Sequence, residues 1–156
     1  MSAEFIAMDN DNSARFVRQV QIAMLVSIAA FVGAGEFLTR GAGEFLARTF
    51  TRAPDNTLFH ALSFISISLV GATVVVRRTL ILPSEHALKE RPDDSLAIAR
   101  WRAGYLFLYA MCEALGVFGL ILRAAGFTLG NVWGFYLGGF LLLLLYSPRP
   151  SRANSR

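Results

Sequence analysis

The chain has 156 residues, of which 54% are hydrophobic and 17% charged, and its mean hydropathy is +0.49. That balance excludes an ordinary soluble domain, which carries charge on about a quarter of its residues and gathers its apolar side chains into one core. The net charge of +4 and the pI near 9.8 would suit nucleic acid, but the basic residues border apolar blocks and no aromatic–basic recognition pattern accompanies them. Anionic lipid headgroups and membrane topology account for them instead.

A helix rises about 1.5 Å per residue and the hydrocarbon core of a bilayer is about 30 Å thick, so a span needs about 20 apolar residues. Four blocks meet this length. They predict an all-α integral membrane bundle of four transmembrane helices, forming a single domain over residues 1–148 with a short basic tail at 149–156.

The first block runs from about Val20 to Leu38 (VQIAMLVSIAAFVGAGEFL). Gly33, Ala34 and Gly35 resemble a signal-peptidase site. The preceding segment, however, carries Glu4, Asp9 and Asp11 in place of a net positive charge, and the apolar run is long for a signal core. The block therefore reads as a retained span. A direct repeat overlaps its end, GAGEFLTR at 33–40 followed by GAGEFLAR at 41–48. Each copy sets Glu four residues before Arg, Glu36 with Arg40 and Glu44 with Arg48, the order that supports a helix. With Phe37, Leu38, Phe45, Leu46 and Phe50 beside these pairs, the repeat predicts a short helix lying on the outer membrane surface; a tandem duplication tolerated in a loop is the alternative.

The second block runs from about Leu58 to Val76 (LFHALSFISISLVGATVVV) and stops at Arg77 and Arg78. In the loop that follows, Pro83 and Pro92 are expected to break the chain, and Asp93, Asp94 and Ser95 suit the N-cap of a long third helix. Residues 95–102 would be an extra stretch of that helix outside the membrane. The third block runs from about Ala103 to Leu122 (AGYLFLYAMCEALGVFGLIL) and the fourth from about Phe127 to Tyr146 (FTLGNVWGFYLGGFLLLLLY). Trp101, Tyr105, Trp133 and Tyr146 fall near span ends, as interfacial anchors do.

Orientation follows from the basic residues, which stay preferentially on the cytoplasmic side. Arg15 and Arg18 precede the first span. Arg77, Arg78, Lys89, Arg91, Arg100 and Arg102 lie in the central loop, and Arg149, Arg152 and Arg156 in the tail. These eleven face four on the other side, Arg40, Arg48, Arg52 and Arg123. Both termini are thus expected in the cytoplasm, with the chain in a bacterial cytoplasmic membrane.

Spans pack closely where small residues allow it, because apolar burial gives little drive between helices in lipid. Gly126, Gly130, Gly134 and Gly138 recur at every fourth position of the fourth span, and Gly139 adds to them. Cys112, Gly116 and Gly119 give the third span a similar face. These stripes predict close contact within the bundle, between copies, or with other membrane subunits.

Glu113 is the most informative polar residue. It lies near the middle of the third span, where a charge costs on the order of 3 kcal/mol, so it must face protein or a cavity. Candidate partners are Ser63, Ser66 and Thr73, which share a face of the second span, and Tyr109, one turn before it. One reading makes Glu113 a buried acid that fixes helix register through a hydrogen bond. The other makes Glu113, with Ser63, Ser66 and Tyr109, a site that handles a proton or cation. Glu36, near the outer end of its span, is expected to reach water or Arg40.

The segment CEALGVFGLIL, residues 112–122, resembles the carboxylate helix of rotary ATPase proteolipid subunits, in which a mid-membrane Glu is followed by small residues, an aromatic and an apolar run. The resemblance implies an ion-binding role for Glu113. The preceding span has Gly71 alone where proteolipids are glycine-rich, and the loop between is longer and more charged, so no rotor function is carried over. The whole chain is similar to small uncharacterised bacterial four-span proteins with a Glu-Ala motif in the third helix, here Glu113-Ala114, and a Leu-rich fourth helix ending at Pro, here Pro148. That similarity implies a fold and a location but no activity.

Enzyme chemistry finds little footing. His60 and His86 lie on different segments and, by the predicted topology, on opposite sides of the membrane, which disfavours a metal cluster or paired haem ligation. Cys112 is the only cysteine and sits mid-span, so it has no disulfide partner within the chain and suits packing. GAGEFL lacks the strand-loop-helix context of a phosphate loop. The expectation is a non-catalytic membrane protein without cofactor or metal, whose partners are the bilayer and its own copies or other subunits.

Overall fold

Within hydrocarbon a backbone must satisfy its own polar groups, and a long apolar run does so by forming an α-helix. The computed structural model describes the backbone of residues 3–41, 56–91 and 94–147 and the side chains of 15–40, 56–91 and 94–147. The helices are α1 (Ala3–Gly41), α2 (Asn56–Val76), α3 (Leu82–Glu90), α4 (Ser95–Ala124) and α5 (Leu129–Leu145), and a π-helical turn, Arg77–Ile81, joins α2 to α3. There is no strand among the described residues. Three helical stretches are long and apolar enough to cross a membrane: α1 from Arg15 to Arg40, the unbroken run Asn56–Glu90, and α4. Helix α5 has 17 residues, about 25 Å, at the lower end of what spans a bilayer.

Contacts at the two ends fix the alternation of direction. At one end Ser147, just past α5, donates a hydrogen bond to Gln21 of α1 at 3.2 Å, and Arg77 after α2 lies 5.4 Å from the ring centre of Tyr146. At the other end Arg123, near the close of α4, pairs with Glu36 near the close of α1. Gln21 and Ser147 therefore sit at the same end of the bundle, as an even number of crossings requires.

Helix α4 is central. Its buried residues include Tyr105, Leu108, Tyr109, Cys112, Leu115 and Leu122, and it packs chiefly against α1 and α5, with α2 also alongside. The outer faces remain oily: Phe37, Phe64, Ile67 and Leu145 are each more than 70% exposed, the distribution suited to lipid.

Several expectations need correction. Pro83 does not break the chain. It follows directly on the π-turn, whose wider winding, with Leu82 N–H donating to the Arg77 carbonyl, carries the helix through the proline. The first copy of the repeat forms no separate surface helix. It continues α1 to Gly41, with Arg40 Nε 3.5 Å from Glu36 Oε2. The second copy, Pro92, Asp93 and the basic tail lie outside the described residues. Tyr105 and Tyr146 are buried, so they are not lipid-facing anchors, whereas Trp133 is exposed. Tyr105 instead donates to Glu85 at 3.3 Å.

The start of α4 is as its sequence implies. Asp94 Oδ1 accepts from the backbone N–H of Leu96 (3.0 Å) and Ala97 (3.2 Å), which caps two of the four donors a helix start leaves open. At the other end Gly126, with φ +93°, stops the helix. Its N–H donates to Arg123 O and that of Phe127 to Leu122 O, the paired pattern of a left-handed glycine cap.

Candidate functional site

Three polar ties hold α1 to the rest of the bundle, one at each depth. At the first end Gln21, 5% exposed, donates from Nε2 to the Leu143 carbonyl at 2.6 Å. That carbonyl belongs to the last turn of α5, which leaves acceptors without intrahelical partners. Tyr109 joins the same end, donating to the Tyr146 carbonyl at 3.4 Å.

The middle tie contains Glu113. Its Oε1 accepts from Ser27 Oγ of α1 at 2.7 Å, and the carboxyl is partly buried. Ser27 was not among its expected partners. Ser66 donates to Leu62 O at 2.7 Å and Thr73 to Val70 O at 2.7 Å, so both hydroxyls serve their own helix, and Tyr109 serves the end of α5. Ser63 is partly buried on α2. The signal that could have found Ser27 is depth: it lies near the middle of the first span, as Glu113 does of the third.

The third tie is centred on Arg123, whose side chain is 14% exposed. Nη2 donates to Glu36 Oε1 at 2.7 Å and to Thr39 Oγ1 at 3.1 Å, Nε donates to the same Glu36 oxygen at 3.1 Å, and Nη1 donates to the Phe127 carbonyl at 2.9 Å. One guanidinium thus joins the end of α1 to the turn between α4 and α5. Tyr136 packs alongside, its hydroxyl buried without a hydrogen bond to a described residue. Arg40, the partner expected for Glu36, is the weaker of the two, at 3.5 Å and 84% exposed. The stronger pair was legible only through topology, which puts Glu36 and Arg123 on the same side.

The glycines divide sharply. A Cβ on Gly116 would touch Ile28 and Phe31 at 3.2 Å, one on Gly119 would meet the Tyr136 ring at 2.9 Å, and one on Gly139 would come within 2.6 Å of the Cys112 carbonyl. These three, with Gly35 against Arg123 and Gly104 against Ile81 at 3.0 Å each, are where described elements close on one another. Gly126 is a helix stop and not part of a packing stripe. Gly134 and Gly138 have nothing within 4 Å, and Gly130 meets only Thr128 of its own turn. The expected stripe therefore faces outward, and only its neighbour Gly139 faces α4.

Between the middle and third ties α1 and α4 are apolar. Residues 28–35 of α1 and 114–122 of α4 carry no acid or base over about 13 Å of rise, and Ile28, Phe31 and the Tyr136 ring fill the gap. No group of three or more His, Cys, Asp or Glu able to hold a metal occurs among the described residues. Comparison with known proteins finds no matching family model, no matching curated protein and no matching solved structure.

Proposed function

We propose that the protein is a non-catalytic multi-pass membrane protein that associates with copies of itself or with other membrane subunits, held in a bacterial cytoplasmic membrane with both termini in the cytoplasm. The observation that carries this reading is the outward face of α5. Gly134 and Gly138 stand four residues apart with open space where a Cβ would be, so a neighbouring helix can approach to backbone distance. The distribution of Lys and Arg supports the orientation. In this reading Glu113 and Arg123 serve the bundle by pinning α1 to α4.

The test is purification in nanodiscs, with mass measured by light scattering and co-purifying chains identified. A defined oligomer or a stoichiometric partner is expected, with loss of either in Gly134→Leu/Gly138→Leu. A monomer without partner overturns the reading.

A second reading rests on the Ser27–Glu113 pair, a carboxyl and a hydroxyl together at mid-membrane depth, which suits proton or cation handling. The apolar interval between Glu113 and Glu36 weighs against a relay through the outer half. Proton flux into liposomes containing the protein, abolished by Glu113→Gln with the fold intact, would favour it over the first.

A further inference from the structure

The polar pair at mid-depth opens on a seam of the bundle, not on its interior. Glu113 is partly exposed, and its neighbours one turn away on α4, Ala110 and Val117, are exposed. Across the seam, Ala23, Ala30 and Ala34 share the Ser27 side of α1 by helical period and are also exposed. Ser27 occupies Oε1 at 2.7 Å, and no described residue donates to Oε2. A carboxyl oxygen at this depth without a donor is expensive, while small side chains around it let another helix come close.

The chain's own inventory narrows the occupant. No Lys or Arg lies within residues 19–39, 57–76, 103–122 or 124–148, and Arg123 is committed to Glu36. A second copy therefore brings no basic group to the depth of Glu113. Resting on the reading of the chain as a member of a membrane complex, we propose that the α1–α4 seam receives a transmembrane helix of a different protein bearing a basic side chain at mid-membrane, which pairs with Glu113 Oε2. Acids and bases inside a bilayer persist by pairing with one another, and Ser27, donating to Oε1, leaves Glu113 oriented to accept a second donor.

The test uses the full chain in lipid bilayers with synthetic Leu/Ala transmembrane peptides carrying one central Lys or, as control, a central Leu, with association read by energy transfer. The Lys peptide is expected to associate on the order of tenfold more strongly than the Leu peptide. Glu113→Gln, which keeps an acceptor for Ser27, removes that preference, and so does Ala30→Leu/Ala34→Leu, which fills the exposed seam. Gly134→Leu, on the α5 face, leaves it unchanged. Equal association of the two peptides, or a preference that survives either seam variant, overturns the proposal. Energy transfer between copies of the chain that is lost on Glu113→Gln assigns the seam to self-association and overturns it equally. The mass measurement on the α5 variants is independent of this outcome, so the seam and the membership of a complex fail separately.

Discussion

Gly139 and Gly134 lie five residues apart on α5 and have opposite consequences. At Gly139 the backbones of α4 and α5 touch, so Gly139→Ala must push the Cys112 carbonyl away. The expected loss is about 1–3 kcal/mol, read as a lower unfolding midpoint in detergent. Gly134→Ala enters open space and should stay within about 1 kcal/mol of the parent, since Ala is the better helix former. The Glu36–Arg123 pair is a second residue-scale case. Both side chains are mostly buried and the bond is charge-assisted, so a double-mutant cycle with Glu36→Gln and Arg123→Gln should return a coupling of about 1–2 kcal/mol. The presence of both residues was legible in the sequence. Their pairing was not, because nothing local distinguishes Arg123 from Arg40 as the partner of Glu36.

Among the elements, α4 shows how local chemistry sets boundaries. Asp94 is the N-cap that residue type announces, whereas Gly126, which its spacing placed in a packing stripe, is the left-handed stop of the helix. Asp94→Ala should cost about 1 kcal/mol, and Gly126→Ala about 1–2 kcal/mol for forcing a Cβ into the left-handed region, both checked by thermal unfolding followed by circular dichroism. The central loop shows the reverse. Pro83 signals a break when read alone, but it falls just after a π-turn, whose wider winding takes up the bond that proline cannot make and lets α2 run on into α3. Cys112, fully buried against α5, reports on the α4–α5 contact: a maleimide should label it slowly in the native bundle and much faster in Gly139→Leu.

For the whole molecule, the three ties of α1 impose an order along the membrane normal. Gln21 and Ser147 meet at one end of the bundle and Glu36 and Arg123 at the other, so the described helices alternate in direction. In a Cys112→Ala background, Arg15→Cys and Ser147→Cys should label from one side of sealed vesicles and Thr128→Cys from the other. Labelling of Arg15→Cys and Ser147→Cys from opposite sides would contradict the alternation of the helices.

Composition and the length of the apolar blocks determined by themselves that this is an all-helical membrane bundle, because hydrocarbon leaves a long apolar segment no other way to satisfy its backbone. The N-cap of α4, the bordering arginines and the depth of Glu113 were likewise properties of position along the chain. Only the tertiary structure decided which depths meet: that Ser27 and not the second span takes Glu113, that Arg123 and not Arg40 holds Glu36 most closely, and that Gly139 packs inward while Gly134 and Gly138 face out. Helical period tells which residues share a face, but which neighbour that face meets depends on how all the helices rotate and close together, and that is settled by packing across the whole bundle.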